Sequence, residues 1–419
     1  MEGKLFSSIL VVLLLGGTAS GTWTSFRGDE ENTGSRTNSI GSPEDLKIRW
    51  EFKGDGPVQG AVVGMEDLLA FSTMNGSVYI LNTEGEISYK RQVKGKIFNS
   101  PMIDPENNTL LTGTSEGEVL SYSLHDGILQ WNTTVGDGSS IHSSPKLKED
   151  TMIITSYDSN VYCLDPETGK EKWNFTGCGG QVHTTPAFYQ GEGKDLVLFG
   201  SCDGKLYALH RSNGTEAWSF QAEYIPSSPA VYDGSVYFGS FDDNLYCLKA
   251  SSGDKIWNRS LGSSVFSSPA VSEQYLCAAS DDGIVHLLDR DSGEVEWSLR
   301  MTDSSLETSP VLGSDLAAVS FDSGLRVLSL EDGSVIRGFE TGDSSETSPS
   351  FVGDMILFGD SAGYVRAIGE VKDNEKDPLD MGEEDDPERD IVVIIVGIIV
   401  LIGFAVVLYL GYLRIRRNQ

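Results

Sequence analysis

Short apolar runs alternate with turns rich in Gly, Asp, Asn and Ser along most of the chain. Residues 227–266 contain four such runs, at 229–232, 236–238, 245–248 and 255–261. Each run is long enough for one strand, and the residues between the runs favour tight turns. Four strands within about forty residues are typical of one blade of a β-propeller.

The same unit recurs along the chain, and two sequence markers give its number. The first marker is a Ser/Thr-Pro pair that opens the unit, with its proline at Pro101, Pro145, Pro186, Pro229, Pro269, Pro310 and Pro349. One further opening lies 41 residues before the first proline, where Gly60 replaces it. The second marker is a turn glycine followed four residues later by tryptophan, at Gly127/Trp131, Gly169/Trp173, Gly214/Trp218, Gly253/Trp257 and Gly293/Trp297. The unit therefore starts eight times.

The tryptophan series predicts packing between neighbouring blades, because one bound ligand would need one aromatic platform rather than a repeated one. Tyr89 takes the tryptophan place in the first unit and Arg337 takes it in the seventh. We therefore expect a weaker outer seam at the seventh blade.

The eighth unit lacks the strand that carries the tryptophan, and a matching strand lies near the other end of the chain, at residues 48–52. Pairing of this strand with the last unit would leave no open sheet edge at the seam. The sequence therefore predicts an all-β, eight-bladed propeller of four-stranded blades, closed by its N-terminal strand. The alternative is seven complete repeats followed by a loose tail.

Segments 204–220 and 244–260 resemble the PQQ-like (quinoprotein-type) propeller repeat. The lead-in from Trp23 through Phe26, Arg27 and Gly28 to Gly34 is similar to one common in that family. The closest overall shape is the BamB-like eight-bladed group, and the resemblance covers roughly residues 22–370. It implies the fold, but it leaves the function open because this fold hosts enzymes, assembly factors and sensors.

The two ends of the chain predict export and a membrane anchor. Residues 1–20 contain a short apolar run followed by small residues, as in a signal peptide, with an uncleaved anchor as the alternative. Residues 391–412 form an apolar transmembrane helix long enough to cross a bilayer. Three arginines follow in the tail 413–419, which places the C-terminus in the cytoplasm and the propeller, residues 22–370, outside the cell.

Residues 371–390 join the propeller to the predicted span. They are rich in carboxylates and poor in apolar residues, so we expect an extended acidic stalk, with a calcium-binding tail as the alternative.

The formal net charge of −31 indicates a soluble exterior that repels nucleic acid and anionic membrane surfaces. It also fits a high-salt or archaeal exterior. Export would make the Asn-x-Ser/Thr sequences candidate glycosylation sites, at Asn75, Asn107, Asn132, Asn174, Asn213 and Asn258.

The five cysteines fall into two groups. Cys163, Cys247 and Cys277 lie within predicted strands and are expected to be small buried residues. Cys178 and Cys202 lie in two loops that should emerge on the same face of one blade. Because exported chains permit the bond, we hypothesise a disulfide between them.

The motifs of common enzyme classes are missing from the sequence. Quinoprotein dehydrogenases, which the fold resembles, typically clamp their cofactor with adjacent cysteines, and the chain has no Cys-Cys pair. It also has no CxxCH, HExxH, P-loop or GxSxG motif. The Asp-rich turns suggest hairpins first and calcium second. We therefore expect no catalytic residues and no PQQ, with calcium or zinc left as possible ligands.

One set of residues remains as a candidate site, at the position three residues before each unit's opening. Going round the ring these residues are Pro57, Phe98, His142, His183, Pro226, Phe266, Glu307 and Glu346. They should surround the channel mouth on one face, with His142 opposite Glu307 and His183 opposite Glu346. Two imidazoles facing two carboxylates could hold a metal or a cationic ligand, and the alternative is a wide hydrated funnel.

These features predict a non-enzymatic, membrane-anchored extracellular propeller that acts as a scaffold or ligand-binding protein of the cell envelope. Its partners would be other envelope proteins or surface glycans. The region expected to be processed has no cysteine for lipid attachment, so the predicted C-terminal span would serve as the anchor. This departure from the BamB-like pattern favours a single-membrane, archaeal cell. The alternatives are a PQQ-dependent dehydrogenase and an extracellular sensor.

Overall fold

Eight four-stranded antiparallel sheets make up the described part of the protein. The structure, a computed structural model, describes residues 22–37, 40–65, 67–345 and 347–370. The predicted signal peptide, acidic stalk, membrane span and tail lie outside these residues. Within the described residues, no helix combines the length and the apolar character needed to span a bilayer.

Each sheet is one blade, and the strands run from the channel outwards. In the first four blades they are Val63–Met65, Leu68–Ser72, Ser77–Leu81 and Ile87–Gln92; Met102–Asp104, Thr109–Gly113, Glu118–Ser123 and Leu129–Thr134; Lys146–Lys148, Thr151–Thr155, Val161–Leu164 and Glu171–Phe175; and Ala187–Gly191, Lys194–Gly200, Lys205–His210 and Glu216–Gln221. In the next three they are Ala230–Tyr232, Ser235–Gly239, Asn244–Lys249 and Lys255–Ser260; Ala270–Val271, Tyr275–Ser280, Ile284–Asp289 and Val295–Arg300; and Val311–Leu312, Leu316–Phe321, Gly324–Ser329 and Val335–Glu340. The eighth has Ser350–Val352, Met355–Gly359, Tyr364–Glu370 and, outermost, Leu46–Lys53, which follows the 3₁₀ helix Pro43–Asp45.

The eighth blade closes the ring, as the sequence predicted. Leu46–Lys53 pairs antiparallel with Tyr364–Glu370, and Trp50 lies opposite Ala367. Arg49 adds a bidentate ion pair to Asp354, with both N–O distances at 2.8 Å. The prediction of eight blades is therefore confirmed, and the alternative of seven repeats with a loose tail is wrong.

The tryptophans join neighbouring blades at the outer rim, which confirms their predicted packing role. Trp218 covers Gly253 of the next blade, and its Nε1 donates to the Ala250 carbonyl at 3.1 Å. The same aromatic-on-glycine contact recurs for Trp50 on Gly85, Tyr89 on Gly127, Trp131 on Gly169, Trp173 on Gly214, Trp257 on Gly293 and Trp297 on Gly333. At the seventh blade the exposed Arg337 instead donates to the Glu44 carbonyl.

A ring of hydroxyl groups joins the blades near the channel and explains the Ser or Thr before each opening proline. At seven of the eight steps between blades a backbone N–H donates to a hydroxyl oxygen of the next blade, at 2.8–3.1 Å. The acceptors are Ser100, Ser144, Thr185, Ser228, Ser268, Ser309 and Ser348. In the first blade the equivalent residue is Ala61, which has no hydroxyl, so this unit opens at Val62 and the predicted opening at Gly60 is wrong.

Residues 22–36, here called the lead-in segment, visit the blades in order around the inside of the ring. The sequence showed this segment only as a family resemblance. Its contacts, from the first blade to the eighth, are Trp23 with Gly64, Thr24 with Ile103, Phe26 with Lys146, Glu30 with Phe188, Glu31 with Val231, Thr33 with Val271, Gly34 with Leu312, and Arg36 with Gly353. The backbone hydrogen bonds among these contacts measure 2.7–3.0 Å. The segment therefore closes the channel and bonds to all eight blades.

Two buried cations and a half-buried carboxylate accompany the lead-in segment. Arg27 donates to the Pro310 carbonyl, and Lys146 donates to Ser25 Oγ at 3.0 Å. Burial lowers the pKa of Arg27 to about 10 and that of Lys146 to about 8, and it raises the pKa of Asp29. Because a buried charge left without its partners is strongly destabilising, these contacts fix the path of the segment.

The rim contact can be tested with two glycines of the fifth blade. Both have positive φ, +76° at Gly253 and +77° at Gly234, so alanine costs about 1 kcal/mol of backbone strain at either. A Cβ on Gly253 would lie 2.6 Å from the Trp218 ring, whereas one on Gly234 would meet nothing within 4 Å. We expect Gly253→Ala to lower the free energy of unfolding by about 1–3 kcal/mol more than Gly234→Ala, measured by urea denaturation. Equal losses would contradict the rim contact.

Candidate functional site

The channel has a mouth on one face of the ring, and this mouth contains a cavity of about 330 Å³. Phe26 of the lead-in segment is one of its lining residues. The predicted rim residues Phe98, His142, His183, Pro226, Phe266 and Glu307 all line it. Pro57 is not among its lining residues, and Glu346 lies outside the described residues. The predicted clustering at one mouth therefore holds for six of the eight positions.

Seven rings form a continuous series around half of the mouth, here called the aromatic arc. In order they are Phe98, His142, Tyr157, His183, Tyr224, Phe241 and Phe266. His142 stacks between Phe98 and Tyr157, with both centroid distances at 4.2 Å. The remaining centroid distances in the arc are 4.5–6.2 Å.

Sequence reasoning missed three members of the arc. Tyr157 and Phe241 each stand between a serine and an aspartate, in the turn between the second and third strands of a blade. Cys202 and Asp281 occupy the same position in other blades, so aligning this turn across the repeats would have revealed a second ring of mouth residues. Tyr224 lies two residues before Pro226, where no repeat marker drew attention to it.

The two histidines belong to the aromatic wall. The Tyr157 hydroxyl is hydrogen-bonded to His142 Nδ1 at 3.2 Å, and the Tyr224 hydroxyl to His183 Nε2 at 2.7 Å. Burial lowers the pKa of His142 to about 4, and the electrostatic interaction with His183 adds a smaller lowering. Burial also lowers the pKa of His183. Both imidazoles are therefore neutral at pH 7.

Metal binding at the mouth stays a prediction. Residues 22–37, 40–65, 67–345 and 347–370 bring together no group of three His, Cys, Asp or Glu side chains able to hold a metal ion. Histidine and carboxylate do share the cavity, as expected, through His142, His183 and Glu307.

The aspartates of the Asp-rich turns accept hydrogen bonds from the turn and from the strand that follows it, as expected for hairpin turns. Asp203 accepts from the Tyr207 hydroxyl at 2.7 Å and from the Lys205 backbone N–H at 3.0 Å. Asp158 and Asp242 make the same pair of bonds in their own blades. Because these carboxylates fix a turn against a strand, their recurrence has a structural explanation.

The other half of the mouth is acidic. A second cavity of about 350 Å³ adjoins the first and shares Gln59, Phe266 and Glu307 with it. Asp322 lies in its wall. In the third to eighth blades the described loops on this face contain Asp and Glu but no Lys or Arg. The wall of the second cavity also includes Phe321, and the Arg326 guanidinium lies 4.4 Å from the centroid of that ring. The aromatic arc therefore lies on one side of the mouth, and the carboxylates of Glu307 and Asp322 lie on the other.

The predicted Cys178–Cys202 disulfide is not formed in this structure, where both residues are free thiols. The two side chains have different neighbours. Cys178 packs with Phe175 against the apolar seam around Phe188, whereas the Cys202 thiol is hydrogen-bonded to the Tyr224 side chain. Cys163, Cys247 and Cys277 are buried in strands, as expected.

The candidate glycosylation sites lie mostly on the surface. Asn75, Asn132, Asn174, Asn213 and Asn258 are exposed. Asn107 is half-buried, and its Nδ2 donates to Asp104 at 2.8 Å. Glycosylation itself stays a prediction.

A protein-family comparison identifies the chain. The family described as "Outer membrane protein assembly factor BamB" matches residues 39–174, 106–226 and 202–355. The chain belongs to the BamB family. A curated member from Burkholderia pseudomallei is 22% identical over 128 residues, which are 30% of this chain and 33% of that protein. The aligned part therefore spans about a third of that relative.

Solved structures of BamB and of other proteins show the same fold. BamB from Moraxella catarrhalis superposes with a TM-score of 0.67 at 19% identity, covering 77% of this chain and 99% of that protein. Quinohemoprotein alcohol dehydrogenase from Comamonas testosteroni superposes with a TM-score of 0.74 at 12% identity, covering 89% and 84%. At these identities the likeness shows the fold alone.

PQQ is the cofactor of the quinoprotein dehydrogenases whose fold this chain resembles. PQQ carries several carboxylates, so its site needs cationic groups or a metal to balance them. The described residues that line the cavity include no Lys or Arg, and Glu307 adds a carboxylate. The described lining therefore offers no cationic side chain to balance the carboxylates of this cofactor.

The burial of His142 predicts a pH effect on stability. Because its pKa falls from 6.5 to about 4 in the folded protein, the unfolded chain binds the extra proton between these values, and stability rises with pH there. His142→Phe keeps an aromatic ring and removes the titrating group. We expect the free energy of unfolding to rise less steeply from pH 4 to 6.5 in the variant, measured by urea denaturation. Equal slopes would show that His142 is not desolvated.

Proposed function

We propose that the protein is a non-enzymatic binding protein of the cell envelope, which presents its channel mouth to a partner protein. The observation that carries this proposal is the closed, two-sided mouth. Its inner end is occupied by the lead-in segment, and its wall joins the aromatic arc to the carboxylates of Glu307 and Asp322. Aromatic side chains held by stacking lose little entropy on binding and are frequent at protein interfaces.

Membership of the BamB family supports an envelope location, because the family is described as an outer membrane assembly factor. The predicted signal peptide, stalk and span extend this proposal to a single-pass protein of the cell membrane, with the propeller outside and the C-terminus in the cytoplasm.

The chemistry of the mouth supports binding over catalysis. Its histidines are neutral and hydrogen-bonded to tyrosines, and its lining has no Lys or Arg to balance the carboxylates of a quinone cofactor. The Ser and Thr hydroxyls at its base serve as acceptors between blades rather than as candidate nucleophiles.

Site-specific photocrosslinking in native membranes tests the proposal. A photoreactive amino acid would replace Phe241, which is 39% exposed at the mouth, and Ile256, which is 54% exposed on the outer strand of the same blade. We expect a discrete protein adduct from position 241 and none from position 256. Identical adducts from both positions, a glycan adduct, or no adduct from position 241 would each overturn the proposal.

A further inference from the structure

The two sides of the mouth meet at Tyr224, Phe266 and Glu307. Phe266 and Glu307 line both cavities, and Tyr224 joins His183 to Phe241 in the arc. Burial is the main reason that the pKa of Tyr224 is raised; Cys202 and Tyr157 contribute less, and the negative charge of Glu307 contributes least. A carboxylate therefore lies within electrostatic reach of the aromatic arc.

We propose that this mouth accepts the side chain of an arginine carried on a loop of the partner protein. The inference rests on the proposed function and names the chemistry that the partner must supply. The guanidinium group would lie against the rings of the arc and donate hydrogen bonds to the carboxylates on the acidic side.

Charge selects a cation. The lining contains Glu307 in the first cavity and Glu307 with Asp322 in the second, and the described lining residues include no Lys or Arg. Because the two histidines are neutral at pH 7, they do not offset these carboxylates. The formal charge of −31 extends the same field around the molecule and would steer a basic loop towards it.

Shape and chemistry select arginine over lysine. A guanidinium group is planar, so it can stack on an aromatic face and donate two parallel hydrogen bonds to a carboxylate at the same time. The lysine ammonium group is a compact, strongly hydrated point charge, and it gains less from a flat aromatic wall. The cavity at the mouth would displace part of the water around the guanidinium group, and this desolvation strengthens cation–π attraction.

The probe is an acetylated and amidated Gly-Arg-Gly peptide, compared with the same peptide containing citrulline, which is nearly isosteric and uncharged. Binding to the full-length protein in detergent would be measured by saturation-transfer NMR. The salt concentration is set at about 0.15 M, because exposed charges further apart than about 8 Å are screened at that ionic strength. We expect saturation of the arginine side-chain protons and little for citrulline. Equal binding of the two peptides, or no binding of the arginine peptide, would overturn the inference.

Matched variants locate the site. Glu307→Gln with Asp322→Asn removes two carboxylates from the mouth, and Glu331→Gln with Asp332→Asn removes two from a turn of the same blade on the opposite face. We expect the first pair to weaken arginine binding about tenfold, the size of effect typical for loss of a charged contact, and the second pair to change it less than twofold. Equal weakening would show attraction by net charge alone and would overturn the inference.

The peptide-binding experiment and the crosslinking experiment can fail independently of each other. If position 241 captures a protein partner but the arginine peptide does not bind, the proposed function stands and this inference fails. If the peptide binds at the mouth but position 241 captures no protein, arginine recognition stands and the docking function fails.

Discussion

Antiparallel pairing between Leu46–Lys53 and Tyr364–Glu370 is the interaction on which the rest of the structure depends. A propeller blade has an exposed edge on its outer strand, and a ring of blades has in addition a seam where the chain begins and ends. Here the first strand of the chain completes the last sheet, so that opening the seam would require breaking a full strand ladder. The other contacts join neighbouring blades within a ring that this strand pairing closes.

Three further rings of contacts then join the blades at different radii. Indole and phenol rings cover the turn glycines at the rim, backbone N–H groups donate to Ser and Thr hydroxyls near the channel, and the lead-in segment bonds to every blade at the centre. These rings explain how a mouth built from loops of many blades keeps a fixed arrangement.

The sequence predicted what the repeat encodes and missed what lies outside the repeat. The proline and tryptophan markers recur with a fixed period, so the number of blades, the closing strand and the rim positions of His142, His183 and Glu307 could be derived. The path of the lead-in segment could not, because it has no period and its bonds use mainly backbone groups, which sequence does not distinguish. Tyr157 and Phe241 were missed for a different reason, since their turn varies in residue type from blade to blade.

The Cys178–Cys202 pairing shows where topology alone is insufficient. Both loops do belong to one blade, but Cys178 packs on the apolar seam around Phe188, whereas the Cys202 thiol is hydrogen-bonded to Tyr224. Loop proximity gives a necessary condition for a disulfide, whereas the direction of each Cβ decides it.

Hydrogen–deuterium exchange of the full-length protein tests most directly whether the closed ring behaves as one cooperative unit. If strand pairing and the lead-in segment join all blades, the inner strands at the seam, Ser350–Val352 and Val63–Met65, should exchange as slowly as Ala230–Tyr232 on the far side. Exchange at the seam that is much faster than at the fifth blade would show that the ring opens there, and would contradict the account.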